Sequence, residues 1–79
     1  MKKIRPEIFS SYRFGELVDE YVQGDINKKI LILFYVEDLT QEEVVEKLNV
    51  SVSKIKRECK RYGLPIFSMM EKQYTIIGP

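Results

Sequence analysis

The chain has no histidine, no tryptophan and a single cysteine, Cys59. Without histidine the usual zinc arrangements have no ligands to draw on, and one cysteine rules out an internal disulfide framework. A reducing, cytoplasmic setting fits such a chain. Long apolar runs are missing too. The longest, Ile30 to Val36, falls far short of the roughly 20 residues that cross a bilayer, and the start Met1-Lys2-Lys3-Ile4-Arg5-Pro6 lacks the apolar segment of a signal peptide. A soluble protein with no membrane partner is expected. Catalytic constellations are equally scarce: no histidine base, no serine or cysteine in a nucleophile arrangement, no glycine-rich phosphate loop and no inward carboxylate cluster for a metal. No enzyme and no cofactor are expected.

What is present is globular material for one domain. Apolar residues make up 44% of the 79 and charged residues 32%, away from the composition of disordered chains. The formal net charge of +1 hides a strong polarity. Met1 to Arg13 carries four basic residues and one acid; Phe14 to Glu46 carries nine acids and two lysines. Ser51 to Gly63 is basic again, with Lys54, Lys56, Arg57, Lys60 and Arg61 against Glu58. A chain polarised this way presents a local basic surface despite near neutrality.

Residues 1–10 read as an extended arm, because Pro6 biases Arg5 away from helix and apolar periodicity has not begun. From Ser11, the series Tyr12, Phe14, Leu17, Val18, Tyr21, Val22 has helical spacing, and Gly24 offers a left-handed stop. Asp25 can cap a second helix with Ile26, Ile30, Leu33 and Phe34 on one face, widened by Leu31 and Tyr35. Thr40-Gln41-Glu42-Glu43 is a capping box that starts a third helix, whose buried face is Val44, Val45 and Leu48. A fourth follows Ser51, with Val52, Ile55, Cys59 and Tyr62 inward, and ends at Gly63. Leu64-Pro65 then predicts a halt to helix. The β-prone stretches Ile66 to Met69 and Gln73 to Ile77 are expected to form a short C-terminal β-hairpin, a possible wing over 64–77. The fold expected is mainly α: residues 11–79 as one four-helix domain with a helix-turn-helix at 40–62.

The functional unit is Leu39 to Leu64. A tight turn, Leu48-Asn49-Val50-Ser51, joins two short helices so that Val45 and Ile55 can pack together. Asn49 stands where positive φ is wanted, Val50 can plug the space between the helices, and Ser51 can cap the second. With the apolar residues inward, the outer face of that helix carries Ser53, Lys54, Lys56, Arg57, Lys60 and Arg61. Such a face suits double-stranded DNA: Ser53, Lys56 and Arg57 toward base edges, Lys54, Lys60 and Arg61 toward phosphates, and the amides behind Ser51 toward a phosphate. Lys72, in the hairpin turn, joins the candidate DNA-binding set.

At these residues the chain resembles known families. Tyr35-Val36-Glu37-Asp38-Leu39-Thr40-Gln41-Glu42-Glu43-Val44, followed by Leu48-Asn49-Val50-Ser51-Val52-Ser53-Lys54-Ile55-Lys56-Arg57, resembles the helix-turn-helix of sigma-factor region 4 and its phage-encoded relatives. Those proteins usually have glycine where Asp38 stands, alanine where Val45 stands and glycine where Asn49 stands. Tyr62-Gly63-Leu64-Pro65-Ile66-Phe67 with Gln73-Tyr74-Thr75-Ile76-Ile77 resembles the wing of excisionase-like and MerR-like winged helices. Ile55-Lys56-Arg57-Glu58-Cys59-Lys60-Arg61-Tyr62-Gly63-Leu64 is also similar to plant RWP-RK regulators, without their tryptophan-containing signature. The resemblances cover about half of the chain and imply a small transcriptional regulator or DNA-architecture protein of a bacterium, phage or mobile element.

Blander readings stand beside these. A helix-turn-helix can serve protein contacts alone, docking on RNA polymerase or another regulator through acidic helices. Cys59 on the inward face is expected to be a structural thiol. Tyr12, Phe14, Tyr21, Phe34 and Tyr35 are expected to pack in the core and not to stack on bases. Glu16, Asp19 and Glu20 read as a solvated face, or as a surface that repels DNA from the wrong side or binds a basic partner. Lys2, Lys3 and Arg5 belong either to a disordered start or to an arm that tracks a groove. A module this small buries a modest DNA interface, so a homodimer, through helix one or the arm, or repeated sites is expected.

Overall fold

A computed structural model describes the backbone of residues 10–77 and the side chains of residues 10–71. The described residues are helical almost throughout: α1 (Ser11–Tyr21), α2 (Asp25–Leu31) running into a π turn (Ile32–Val36), α3 (Gln41–Leu48), α4 (Val52–Glu58) running into a second π turn (Cys59–Gly63), and α5 (Leu64–Ile77). The arm expected at 1–10 lies outside the described residues except for Ser10. That residue is extended, and its side chain caps α1 by accepting from the Arg13 N–H at 3.3 Å.

The helix boundaries follow local chemistry. α1 stops because Val22 turns to extended backbone, and Gly24, at φ 90°, opens α2 in place of the expected stop for α1. Asp25 is therefore the first residue of α2 and not its cap; it lies at the positive end of the helix, where an acid is favoured. Asn27 steadies the corner by donating from Nδ2 to the Gln23 carbonyl at 2.8 Å. The first π turn closes with the Glu37 N–H on the Ile32 carbonyl and the Leu39 N–H on the Leu33 carbonyl, both at 3.0 Å, around Asp38 at φ 61°.

The C-terminal hairpin is not there. Among the described residues there is no strand, and the stretches read as two strands, with Lys72 between them, lie on the single helix α5. Three physical reasons account for the correction. Gly63 is not a stop but a contact, since a Cβ built on it would meet the Tyr35 ring at 3.3 Å. Pro65 lies directly after the π turn, and its ring fixes φ near the helical value, so it continues the backbone direction that Leu64 already holds. The π turn Cys59–Gly63, where each N–H reaches five residues back, loosens the helix just before the residue that has no N–H to give. Burial supplies the driving force: Ile66, Phe67 and Met70 are buried, and α5 packs on α1. Tertiary packing overrides the β propensity of Ile66 and Phe67.

The core is one cluster. Phe14, Leu17, Val18 and Val22 from α1 meet Ile30, Leu31, Phe34 and Tyr35, then Val44, Ile55 and Cys59, and finally Ile66, Phe67 and Met70. At its centre Tyr35 touches three rings: Phe34 and Phe67 edge-on with centroids 5.0 Å away, and Phe14 at 5.6 Å. Phe14 and Phe67 close the group at 5.5 Å. Edge-to-face pairs of this kind add about 1 kcal/mol each beyond area burial. The aromatic expectation needs correcting at two positions, because Tyr12 is 78% exposed and Tyr21 is 50% exposed on the outer side of α1. From Val52 to Ile77 the chain is one uninterrupted helix, which at 1.5 Å per residue spans about 39 Å. It supplies most of the 43 Å long axis of the molecule.

Candidate nucleic-acid interface

The α3–α4 unit is built from local hydrogen bonds. Thr40 Oγ1 accepts from the Glu43 N–H at 3.1 Å, and Glu43 Oε1 accepts from the Thr40 N–H at 2.8 Å, so the capping box is complete. α3 ends at Asn49, which is left-handed (φ 56°, ψ 47°) and donates its N–H to the Val45 carbonyl at 2.8 Å. Asn49 and Asp38 are the two non-glycine residues with positive φ among the described residues. Both can take that conformation because a short polar side chain offsets part of the steric cost. Ser51 then caps α4, its Oγ accepting from the Lys54 N–H at 3.1 Å. Val44 of α3 and Ile55 of α4 are fully buried, with Val45, Leu48 and Val50 packed partly against the same core.

The outer side of α4 and of the second π turn carries the cations. Ser51, Ser53, Lys56, Arg57, Lys60 and Arg61 are exposed. Ser53, Lys56, Arg57 and Lys60 stand three and four residues apart and so share one helix face. Lys54 is half-buried to one side, and the Arg61 guanidinium lies over the Tyr62 ring, 5.2 Å from its centroid. Lys72 is on α5, away from any hairpin turn, and its side chain lies outside the described residues.

Sequence spacing missed three features of this helix. Val52, expected inward, is 37% exposed. Tyr62, also expected inward, is only half-buried, because the π turn carries Gly63 to the inner side in its place. Glu58, which counted against the positive charge of the segment, is 2% exposed and faces inward beside Ile55. Its Oε1 lies 3.5 Å from Arg57 Nε and 3.9 Å from Lys54 Nζ, while Oε2 is buried without a hydrogen-bond partner. The Arg57 contact uses Nε, and the side chain stays 66% exposed. Turning the segment's one acid inward leaves an outer face of cations and serines. The buried series Ile55, Cys59, Gly63, Phe67 has a period of four residues, slower than the 3.6 of an α-helix and in keeping with a helix widened by a π turn.

A scan against protein-family models, a search of curated proteins and a search of solved structures each find no match to this chain. The site therefore rests on its own geometry. Behind it, Cys59 is buried and the thiol is pushed up from 9.0 to about 11, first by desolvation, with the hydrogen bond to Tyr35 pulling the other way and Glu58 adding to the rise. A thiol so placed is a poor nucleophile at neutral pH. Among the described residues no cluster of three or more metal-ligating side chains forms, and no helix is long and apolar enough to cross a membrane.

Proposed function

We propose that this chain binds double-stranded DNA with α4 and the second π turn as its reading helix, serving as a small transcriptional regulator or DNA-architecture subunit in the cytoplasm. The observation that carries the reading is the segregation of charge on one helix. Lys56, Arg57, Lys60 and Arg61 are exposed, and the only acid among them is buried. The turn geometry adds support: Asp38 and Asn49, where the sigma region 4 relatives usually have glycine, both have positive φ. With α5 continuing the reading helix, no wing contributes, and Lys56 and Arg57, with Ser53 beside them, are the side chains nearest the start of α4 that can reach base edges. Lys60 and Arg61 meet flanking phosphates. A homodimer or repeated sites would enlarge the small interface of one module.

The test is a salt titration of binding to a mixed duplex pool, read by fluorescence anisotropy, for the wild type, Lys60→Ala and Arg61→Ala, the two residues assigned to phosphates. Affinity is expected to fall steeply with salt, and each variant to lower the log–log slope by about one, the signature of one fewer phosphate-neutralising charge. Circular dichroism checks that both variants fold. No binding at about 50 mM salt, or variants indistinguishable from wild type, removes DNA as the partner.

A further inference from the structure

A second surface is independent of any nucleic acid. An apolar groove of about 380 Å³ runs between α2 with its π turn and the end of α3, lined by Ile32, Leu33 and Leu48 and edged by Lys28, Lys29, Glu37 and Lys47. Ile32, Leu33 and Leu48 are half-buried, packing one flank on the core and leaving the other open.

The charge around this groove opposes that of its neighbourhood. Phe14 to Glu46 contains nine acids and two lysines; both lysines stand at the groove, and Lys47, the next residue along, is the third. Lys28 is tied to Asp19 of α1 at 3.2 Å. Lys29 and Lys47 are exposed and in no ion pair among the described residues. Along α2 the groove runs from Lys28 to Glu37, about 13 Å at the helical rise, or two and a half turns of a second helix laid beside it.

We propose that this groove docks an acidic amphipathic helix of a partner protein. Apolar residues repeating at three and four positions seat on Ile32, Leu33 and Leu48, and acids on the margins of that stripe face Lys29 and Lys47. A duplex does not fit an apolar floor. The chain's own acidic helix, α1, is no occupant in a second copy either, because its apolar residues Phe14, Leu17 and Val18 are fully committed to the core.

The experiment uses the full chain and a labelled synthetic peptide of about 14 residues, with a leucine stripe at helical spacing flanked by glutamates, and a shuffled peptide of the same composition. Anisotropy is expected to give a dissociation constant on the order of 10 μM for the striped peptide and at least about tenfold weaker binding for the shuffled one. Leu33→Ala can lose stability as well as contact. The deciding variant is therefore Lys29→Glu with Lys47→Glu, both exposed, which is expected to weaken the striped peptide at least about tenfold with unchanged circular dichroism. Equal binding of both peptides, absence of binding, or indifference to the charge reversal overturns the proposal. So does sedimentation showing that the chain self-associates and that the same reversal abolishes it, since that gives the groove to a second copy. None of these readouts involves DNA, so failure here and failure of the DNA reading are separately visible.

Discussion

The two π turns make an instructive pair. Each follows a seven-residue α-helix and is itself five residues long, yet the first ends its helix and the second carries its helix on for another fourteen residues. The difference lies in what comes next. After Val36 the chain meets Glu37 and Asp38, and Asp38 goes left-handed, so the backbone turns away toward α3. After Gly63 it meets Leu64 and Pro65, which hold helical φ, and then Ile66 and Phe67, which have a core to enter. The widened turn itself neither stops nor prolongs a helix; it shifts register, and the following residues decide. The two turns also meet each other, Tyr35 of the first lying against Gly63 and hydrogen-bonded to Cys59 of the second. A helix backbone can approach a ring this closely only where a side chain is absent.

Removing the ring that both turns share has the largest expected effect. Tyr35→Ala opens a cavity bounded by Phe14, Phe34, Phe67 and Gly63, at a cost of about 3–5 kcal/mol measured by urea unfolding, enough to unfold a marginal domain. Gly63→Val acts on the other side of the same contact. Its branched side chain must displace the Tyr35 ring, and a loss of about 2 kcal/mol is expected, whereas an equivalent change at Gly15, where nothing lies within 4 Å, leaves the core untouched.

Alkaline pH tests the pair more gently. The Cys59 thiol is raised to about 11 and the Tyr35 hydroxyl is raised further, in both cases mainly by burial, so each group binds its proton more tightly folded than unfolded. Their contribution to stability is fully present below the ordinary thiol value and is lost as pH climbs through about 11. Thermal melts from pH 8 upward should therefore show a falling midpoint, and Cys59→Ala should flatten the first part of that fall.

How much of this was legible in the sequence depends on whether the deciding interactions are local. The Thr40–Glu43 capping box, the Ser51 cap and the left-handed Asn49 involve partners within four residues, and the sequence pattern locates all three. Phe14, Leu17, Ile30, Phe34, Val44 and Ile55 were recognisable as core from helical spacing alone. What spacing could not show is the contact between Tyr35 and Gly63, twenty-eight residues apart. Gly63 and Pro65 then look like helix breakers, and the β-prone tail like a hairpin. The inward turn of Glu58 and the outward placement of Tyr12 were hidden for the same reason: both depend on which flank of a helix meets a distant neighbour. The smallest expected effect separates local from distant causes. Asp38→Gly and Asn49→Gly relieve left-handed strain without touching the core, and each should shift stability by less than about 1 kcal/mol, detectable as a small change in denaturation midpoint at constant slope.

The second π turn works as a phase joint. One residue of an α-helix corresponds to about 100° of rotation, so a deletion anywhere from Cys59 to Gly63 that restored regular winding would swing everything beyond it by that angle. Phe67 would leave the Phe14 and Tyr35 rings, and Met70 its buried place, even where the residue removed is itself exposed, as Lys60 is. The cationic face and the aromatic core thus belong to one axle, set at two angles by a single extra residue.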